Sequence, residues 1–404
     1  MPGSIASNLR EVRTSRELPI DRLAELSGLA EEKLRQFERA SLKPTRKELE
    51  KIALILGVPA IAFRSKRTIT PRPLPVDFRT KGNQRTLMSL AGAKAISDSI
   101  RKASFVNRYT RSNQSFAPPI NASLSDDPEK VGQRLRETLG ISSDFQVSST
   151  PSQFLKFLSN SIQLEGVFVF RRPAPLSDFR GFTSDLKPFP LIVVNTKENT
   201  IPAQIFTLAH EFVHLIINKP GVSDPKSNHT RVERFCNKVA AALLAPDNLV
   251  SHFLATSNYS LDNQVATLGY LSKKLKISLF AAAIRLRELD IVDDAYVSRY
   301  LASTVKRDRD TEKPTGGGAS GEYDYGAGQI WRFGSRFLSE IGHLLDQDRV
   351  TIIDVEQALS ISEDKIVSLI DKASTEQKEV TDQLDHIKFN SFSQPYAEYE
   401  FDVV

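Results

Sequence analysis

The apolar positions along this chain follow one period, switch to another, and then return. Over residues 1–64 they recur at helical spacing. Leu9 and Val12 open an amphipathic turn, and Pro19 and Asp21 start a second short helix that Gly28 should stop. AEEKLRQFER (30–39) follows, with Leu34 and Phe37 inward, and then RKELEKIALILGV, striped by Leu49, Ile52, Ala53 and Leu56. Two short helices joined through a glycine turn inside so small a bundle predict a helix-turn-helix domain over 1–64. Pro71, Pro73 and Pro75 mark an extended connector, and a long helix is expected over 86–111. Further helices are expected near 129–139 and 151–163.

The period then shortens. GVFVFRR (166–172), DFRGFTS (178–184) and PLIVVN (190–195) are short, β-branched or aromatic, and bounded by turn residues, so they read as three strands. TIPAQIFTLAHEFVHLIIN returns to helical spacing, with Pro202 suited to the first turn. A second helix over 231–245 ends at Pro246, and more helices fill 261–302. KPTGGGASGEYDYGAG (313–328) reads as a flexible joint before helices over 329–385 and an irregular tail. The expected fold is therefore α+β and mainly helical. Its parts are the bundle at 1–64, a basic proline-containing linker and helix at 65–112, a mixed domain with a small sheet at 113–305, and a helical C-terminal domain at 322–404.

Composition narrows the setting. The chain has 404 residues, no apolar run near the ~20 residues of a membrane span, and no apolar stretch near Met1 of the secretory kind. One cysteine, Cys236, excludes an intrachain disulfide, and a cytoplasmic location is expected. The net charge of +5 is uneven. Residues 1–64 carry 12 Lys/Arg against 9 Asp/Glu, and residues 65–112 carry 11 against 2. That basic stretch can attract nucleic acid or an acidic protein face, or it can simply be solvated.

The candidate chemistry lies in His210, Glu211 and His214, which form H-E-x-x-H. On a helix, positions i and i+4 share a face, so both imidazoles can reach one Zn2+ ion. A catalytic zinc takes a third protein ligand and keeps a position open, and a carboxylate beside it can serve as general base. Glu233, in the first turn of the next helix, is the expected third ligand. His229, in the polar loop before it, is the alternative. A substrate can lie along a sheet edge, where Arg180, Gly181, Phe182 and Asn195 are candidate substrate contacts.

In this order, FRGF, PLIVVN, FTLAHEFVHL and ERFCNKVAAALLAP resemble the ImmA/IrrE-type zinc metallopeptidases over residues 150–300. Glu233, Asn237, Ala240, Leu243, Leu244 and Pro246 match the family's second helix, while Cys236 stands where that pattern has alanine. The resemblance implies a zincin-like domain, His210, His214 and Glu233 as ligands, Glu211 as base, and cleavage of a helix-turn-helix repressor encoded nearby, in response to stress. LREVRTSRELPIDRLAELSGLAEEKLRQFERASLKPT is similar to the xenobiotic-response-element type of helix-turn-helix fused to many such peptidases. Lys33, Arg35 and Gln36 are its candidate DNA contacts. Against DNA stand Glu31 and Glu32 at the head of that helix, Ile20 where a glutamine often begins the second helix, and Ala40 in place of the usual glycine.

Two further readings stand beside a narrow-specificity endopeptidase. One is a DNA-binding or antitoxin-like regulator whose zinc site is structural or vestigial. The other gives residues 322–404 the role of a swinging lid. The expected partners are a protein substrate and, through the first domain, DNA or a second copy of the chain. No membrane is expected among them.

Overall fold

The computed structural model of the chain describes residues 4–15, 18–56, 58, 60–65, 89–110, 116–218, 222–223, 231–308 and 325–393. The proline connector at 67–80, His229, most of the glycine-rich joint and the tail beyond 393 lie outside the described residues. Within them the chain is mainly helical with one small sheet, as the periodicity predicts. No described helix is long and apolar enough to cross a membrane.

The first bundle comprises α1 (Ile5–Ser15), α2 (Ile20–Ser27), α3 (Glu31–Glu38), α4 (Arg46–Leu56) and a 3-10 turn (Ala60–Arg64). Leu9 and Val12, Leu23, Leu34 and Phe37, Leu49, Ile52 and Leu56, and Phe63 bring one stripe from each element into a core of its own. Gly28 ends α2 at φ +64°, the left-handed conformation that glycine adopts without a Cβ penalty. Arg13 crosses from α1 to grip Glu38 of α3 at 2.6 and 3.0 Å. Ala40 also sits at positive φ, +61°. Its departure from glycine therefore places a Cβ where the backbone least tolerates one.

The rest of the chain is organised around the sheet. After α5 (Leu90–Tyr109) come α6 (Pro128–Thr138), α7 (Ser143–Ser148) and α8 (Pro151–Leu164). The strands β1 (Phe168–Arg172), β2 (Gly181–Ser184) and β3 (Leu191–Asn195) lead into α9 (Ile201–Ile216). The short β4 (Val222–Ser223) precedes α10 (Arg231–Leu244), α11 (Asp247–Ala255), α12 (Gln264–Leu275), α13 (Leu279–Glu288) and α14 (Asp294–Asp308). The order across the sheet is β1-β3-β2-β4, with β1 parallel to β3 and β2 antiparallel to both β3 and β4. The three strands read from sequence are present. The two-residue β4 is too short to leave an alternation pattern.

Every residue of β1, β2 and β3 is buried, so both faces of the sheet need cover. Val169, Ile192 and Val194 face α8, α9 and α10. Phe168, Phe170, Phe182, Leu191 and Val193 face the other way, into a second core. That core is built by α5 with α15 (Tyr325–Phe333), α16 (Ser335–Asp346), α17 (Ile352–Leu359) and α18 (Glu363–Ser393). Phe337 of α16 meets Phe168 and Phe170 edge-on, with ring centroids at 5.3 and 4.8 Å. Arg172 of β1 holds Asp98 of α5 at 2.8 Å and lies over the Phe333 ring.

α5 and the helices α15 to α18 thus share one core with the sheet, because a sheet that is apolar on both faces needs cover on both. Residues 330–373, inside the segment expected to act as a lid, contribute side chains to that core. A swing of that segment would strip the phenylalanines of β1 of their cover.

Two stability outcomes follow. Phe337→Ala should cost about 3–5 kcal/mol, read in a urea melt as an earlier loss of the sheet's own signal; an unaffected sheet would show that α16 is a separate unit. Ala40→Gly should stabilise the first bundle by about 1 kcal/mol, since relief of the left-handed strain outweighs the added chain entropy. A loss of stability would contradict that balance.

Candidate metal centre

α9 is built to be buried. Thr200 caps it, its hydroxyl accepting from the Ala203 amide at 3.3 Å, and Pro202 occupies the first turn. Ile205, Leu208, Ala209, Phe212 and Val213 anchor it in the core between the sheet, α8 and α10. One face remains for polar groups, and His210 and His214 lie one turn apart on it, with their Nε2 atoms 3.0 Å from each other. α10 runs alongside, fixed by Phe235, Cys236, Val239, Ala240 and Leu243. Its first turn delivers Glu233, whose Oε2 lies 3.2 Å from His210 Nε2 and whose Oε1 lies 3.3 Å from His214 Nε2. All three side chains are buried, and their donor atoms lie within 4.8 Å of one another.

This donor set fits a metal. Ligands at ~2.0–2.1 Å around a tetrahedral ion stand about 3.3 Å apart, close to the three separations found here. Two imidazoles and a carboxylate suit zinc by chemistry as well. The electrostatics agree in direction. Burial alone would raise the Glu233 carboxyl, but hydrogen bonds to both histidines outweigh it and hold it at about 2. Burial lowers His210, against hydrogen bonds with Glu233 and Asn237. At His214 burial is outweighed by Cys236 and Glu233, and its value is raised well above the usual imidazole range. The Glu233 carboxylate therefore favours a cation beside the two histidines, and metal binding should release protons.

Glu211 is fully buried and lies against β2. A Cβ on Gly181 would stand 2.7 Å from Thr207 Cγ2 and 2.8 Å from both Cγ and Oε1 of Glu211. The glycine is what lets the strand approach this helix at the carboxylate. Arg180, at the head of β2, is half-exposed and grips Glu198 through Nη1, at 3.1 Å from each carboxylate oxygen. Glu198 in turn accepts from Thr207 Oγ1 at 3.5 Å, one turn before Glu211.

Two expected substrate contacts face elsewhere. Phe182 points through the sheet into the second core and packs edge-on against Phe179 at 5.5 Å, because strand alternation puts it opposite Gly181. Asn195 is buried, and its amide is committed to its own chain. Oδ1 accepts from the Ala174 and Lys197 amides at 3.1 and 3.0 Å, and Nδ2 donates to the Ala174 and Phe179 carbonyls, each at 2.9 Å. It clamps the loop after β1 and has no capacity left for a peptide.

In the first bundle, Lys33 pairs with Glu48 at 2.6 Å, Arg35 pairs with Glu31 on its own helix, and Gln36 is half-buried. Glu198 and Thr207 escaped the sequence reading. Glu198 sits in the turn NTKEN, where a carboxylate looks like ordinary loop surface, and only the fold folds it inward.

Residues 163–287 match the peptidase M78 family, described as the IrrE N-terminal-like domain. The matched stretch covers less than a third of the chain, and it contains β1 to β4, α9 and α10 with all four residues of the site. No curated protein matches the chain.

A chelator should lower the melting temperature of metal-loaded protein, since binding at a hundredfold excess over Kd stabilises by about 2.7 kcal/mol. Glu233→Gln keeps the shape and removes the charge, so it should weaken metal binding at least tenfold in a competition titration. Equal affinity in that variant would exclude Glu233 as a ligand.

Proposed function

We propose that this chain is a zinc-dependent endopeptidase of narrow specificity, acting on a helix-turn-helix regulatory protein and so changing gene expression. The observation that carries the reading is the convergence of His210, His214 and Glu233 beside Glu211, inside a segment that matches a peptidase family. The three residues would hold zinc. When bound, zinc supplies Lewis acidity to a peptide carbonyl and to water.

The chain's own residues do the rest. Glu211 takes a proton from the attacking water and passes it to the departing amine. Gly181 keeps the strand backbone close to that carboxylate. The half-exposed Arg180, steadied by Glu198, reads the substrate beside it. The first bundle docks the substrate or a second copy of the chain, and the site of action is the cytoplasm.

The pairing of Lys33 with Glu48 and of Arg35 with Glu31 favours this over a DNA-binding regulator, because cations already answered by carboxylates offer little to phosphates.

Glu211→Gln should retain metal and lose about 10²–10⁴ in turnover. Both forms can be incubated with the regulators encoded beside this chain, and the fragments read by mass spectrometry. Cleavage by the wild type alone is expected; equal cleavage by the variant would rule out Glu211 as the base, and metal-loaded wild type that cuts none of these proteins would overturn the substrate class.

A further inference from the structure

β1 ends in two consecutive arginines with opposite circumstances. Arg172 has a counter-charge, Asp98, at 2.8 Å. Arg171 has none among the described residues. It is 6% exposed, and its Nε and Nη1 are shielded from solvent with no hydrogen-bond partner. Among the described residues only Nη2 is engaged, donating to the side chain of Gln204 in the first turn of α9. The guanidinium carbon lies 3.8 Å from the centroid of the Trp331 ring, on α15. Burial lowers Arg171 to about 10, with no carboxylate opposing the shift, so it is charged at neutral pH.

A guanidinium taken out of water without a counter-charge is strongly disfavoured. A π face and one amide oxygen answer it only in part. Because Gln204 lies in the first turn of α9, its contact with Arg171 brings the guanidinium to the N-terminal turn of a 16-residue helix. Two free donor nitrogens, a buried positive charge and a helix N-terminus together call for acceptor oxygens bearing negative charge. Trp331 is half-buried and packs against the first core, so an anion reaching Arg171 would have to shift that ring.

We propose that Arg171, Gln204 and Trp331 form a binding site for a small oxyanion, a phosphate or a carboxylate, at the root of the metal-bearing helix. The site is independent of the peptidase reading. It joins three elements, because Arg171 belongs to the sheet, Gln204 to α9 and Trp331 to the C-terminal helices. An anion bound there would tie the second core to the helix that carries His210 and His214.

Trp331 is the sole tryptophan in the chain, so its fluorescence reports on the site directly. The test is a titration with inorganic phosphate, and separately with acetate, at ionic strength held constant with sodium chloride. The wild type should give a saturable fluorescence change and a rise in Tm of roughly 3–5 °C at a hundredfold excess over Kd. A response to phosphate alone would assign the phosphoryl class, and a response to acetate the carboxylate class. Arg171→Met should abolish the response. Should that variant fail to fold, Arg171→Lys, which keeps the charge and loses the planar fork, should weaken it at least tenfold. No saturable change in the wild type, or an undiminished one in the variants, would overturn the proposal.

Discussion

Two buried imidazoles and a carboxylate face one another beneath the sheet, a donor set that could hold a metal ion. Three polar groups buried at 3.0 to 3.3 Å would otherwise be a costly way to fill space. Much of the surrounding architecture serves to enforce that meeting. α9 is locked by apolar residues on its remaining faces, and α10 is laid beside it so that its first turn falls at the level of the histidines. Gly181 lets β2 press against Glu211, which a side chain of any size would prevent.

The sheet that supports this arrangement has no solvent face. Its front carries α9, and its back is sealed by α5 and the helices that follow the glycine-rich stretch. The C-terminal helices are therefore part of the foundation on which the site rests. The polar links across that junction are unequal. Arg172 is compensated by Asp98, while Arg171 meets, among the described residues, an amide and an aromatic ring.

What could be read from the sequence follows from physical range. The i, i+4 spacing of His210 and His214 is local, and so is the switch from helical to alternating period that marks β1 to β3. Glu233 was legible as a candidate because a carboxylate buried there without a cation would be costly, although a solvated first-turn residue and His229 stayed open beside it. Contacts decided by tertiary alternation were not legible. Phe182 and Gly181 are neighbours in sequence, yet the pleat sends one to the back core and the other to Glu211. Asn195 reads either as a turn residue or as a substrate contact, and its bonds to the loop after β1 are of the turn kind. The C-terminal helices read as a separate domain because no sequence pattern states which face of a distant sheet an apolar stripe will cover.

The account turns on what occupies the space between His210, His214 and Glu233, and X-ray absorption at the zinc edge of the zinc-loaded chain measures that most directly. A four-coordinate ion is expected, with directly bound nitrogen and oxygen at about 2.0–2.1 Å and the more distant scattering of two imidazoles, lost when His214 is replaced by alanine. A six-coordinate, oxygen-only shell without imidazole scattering would contradict it.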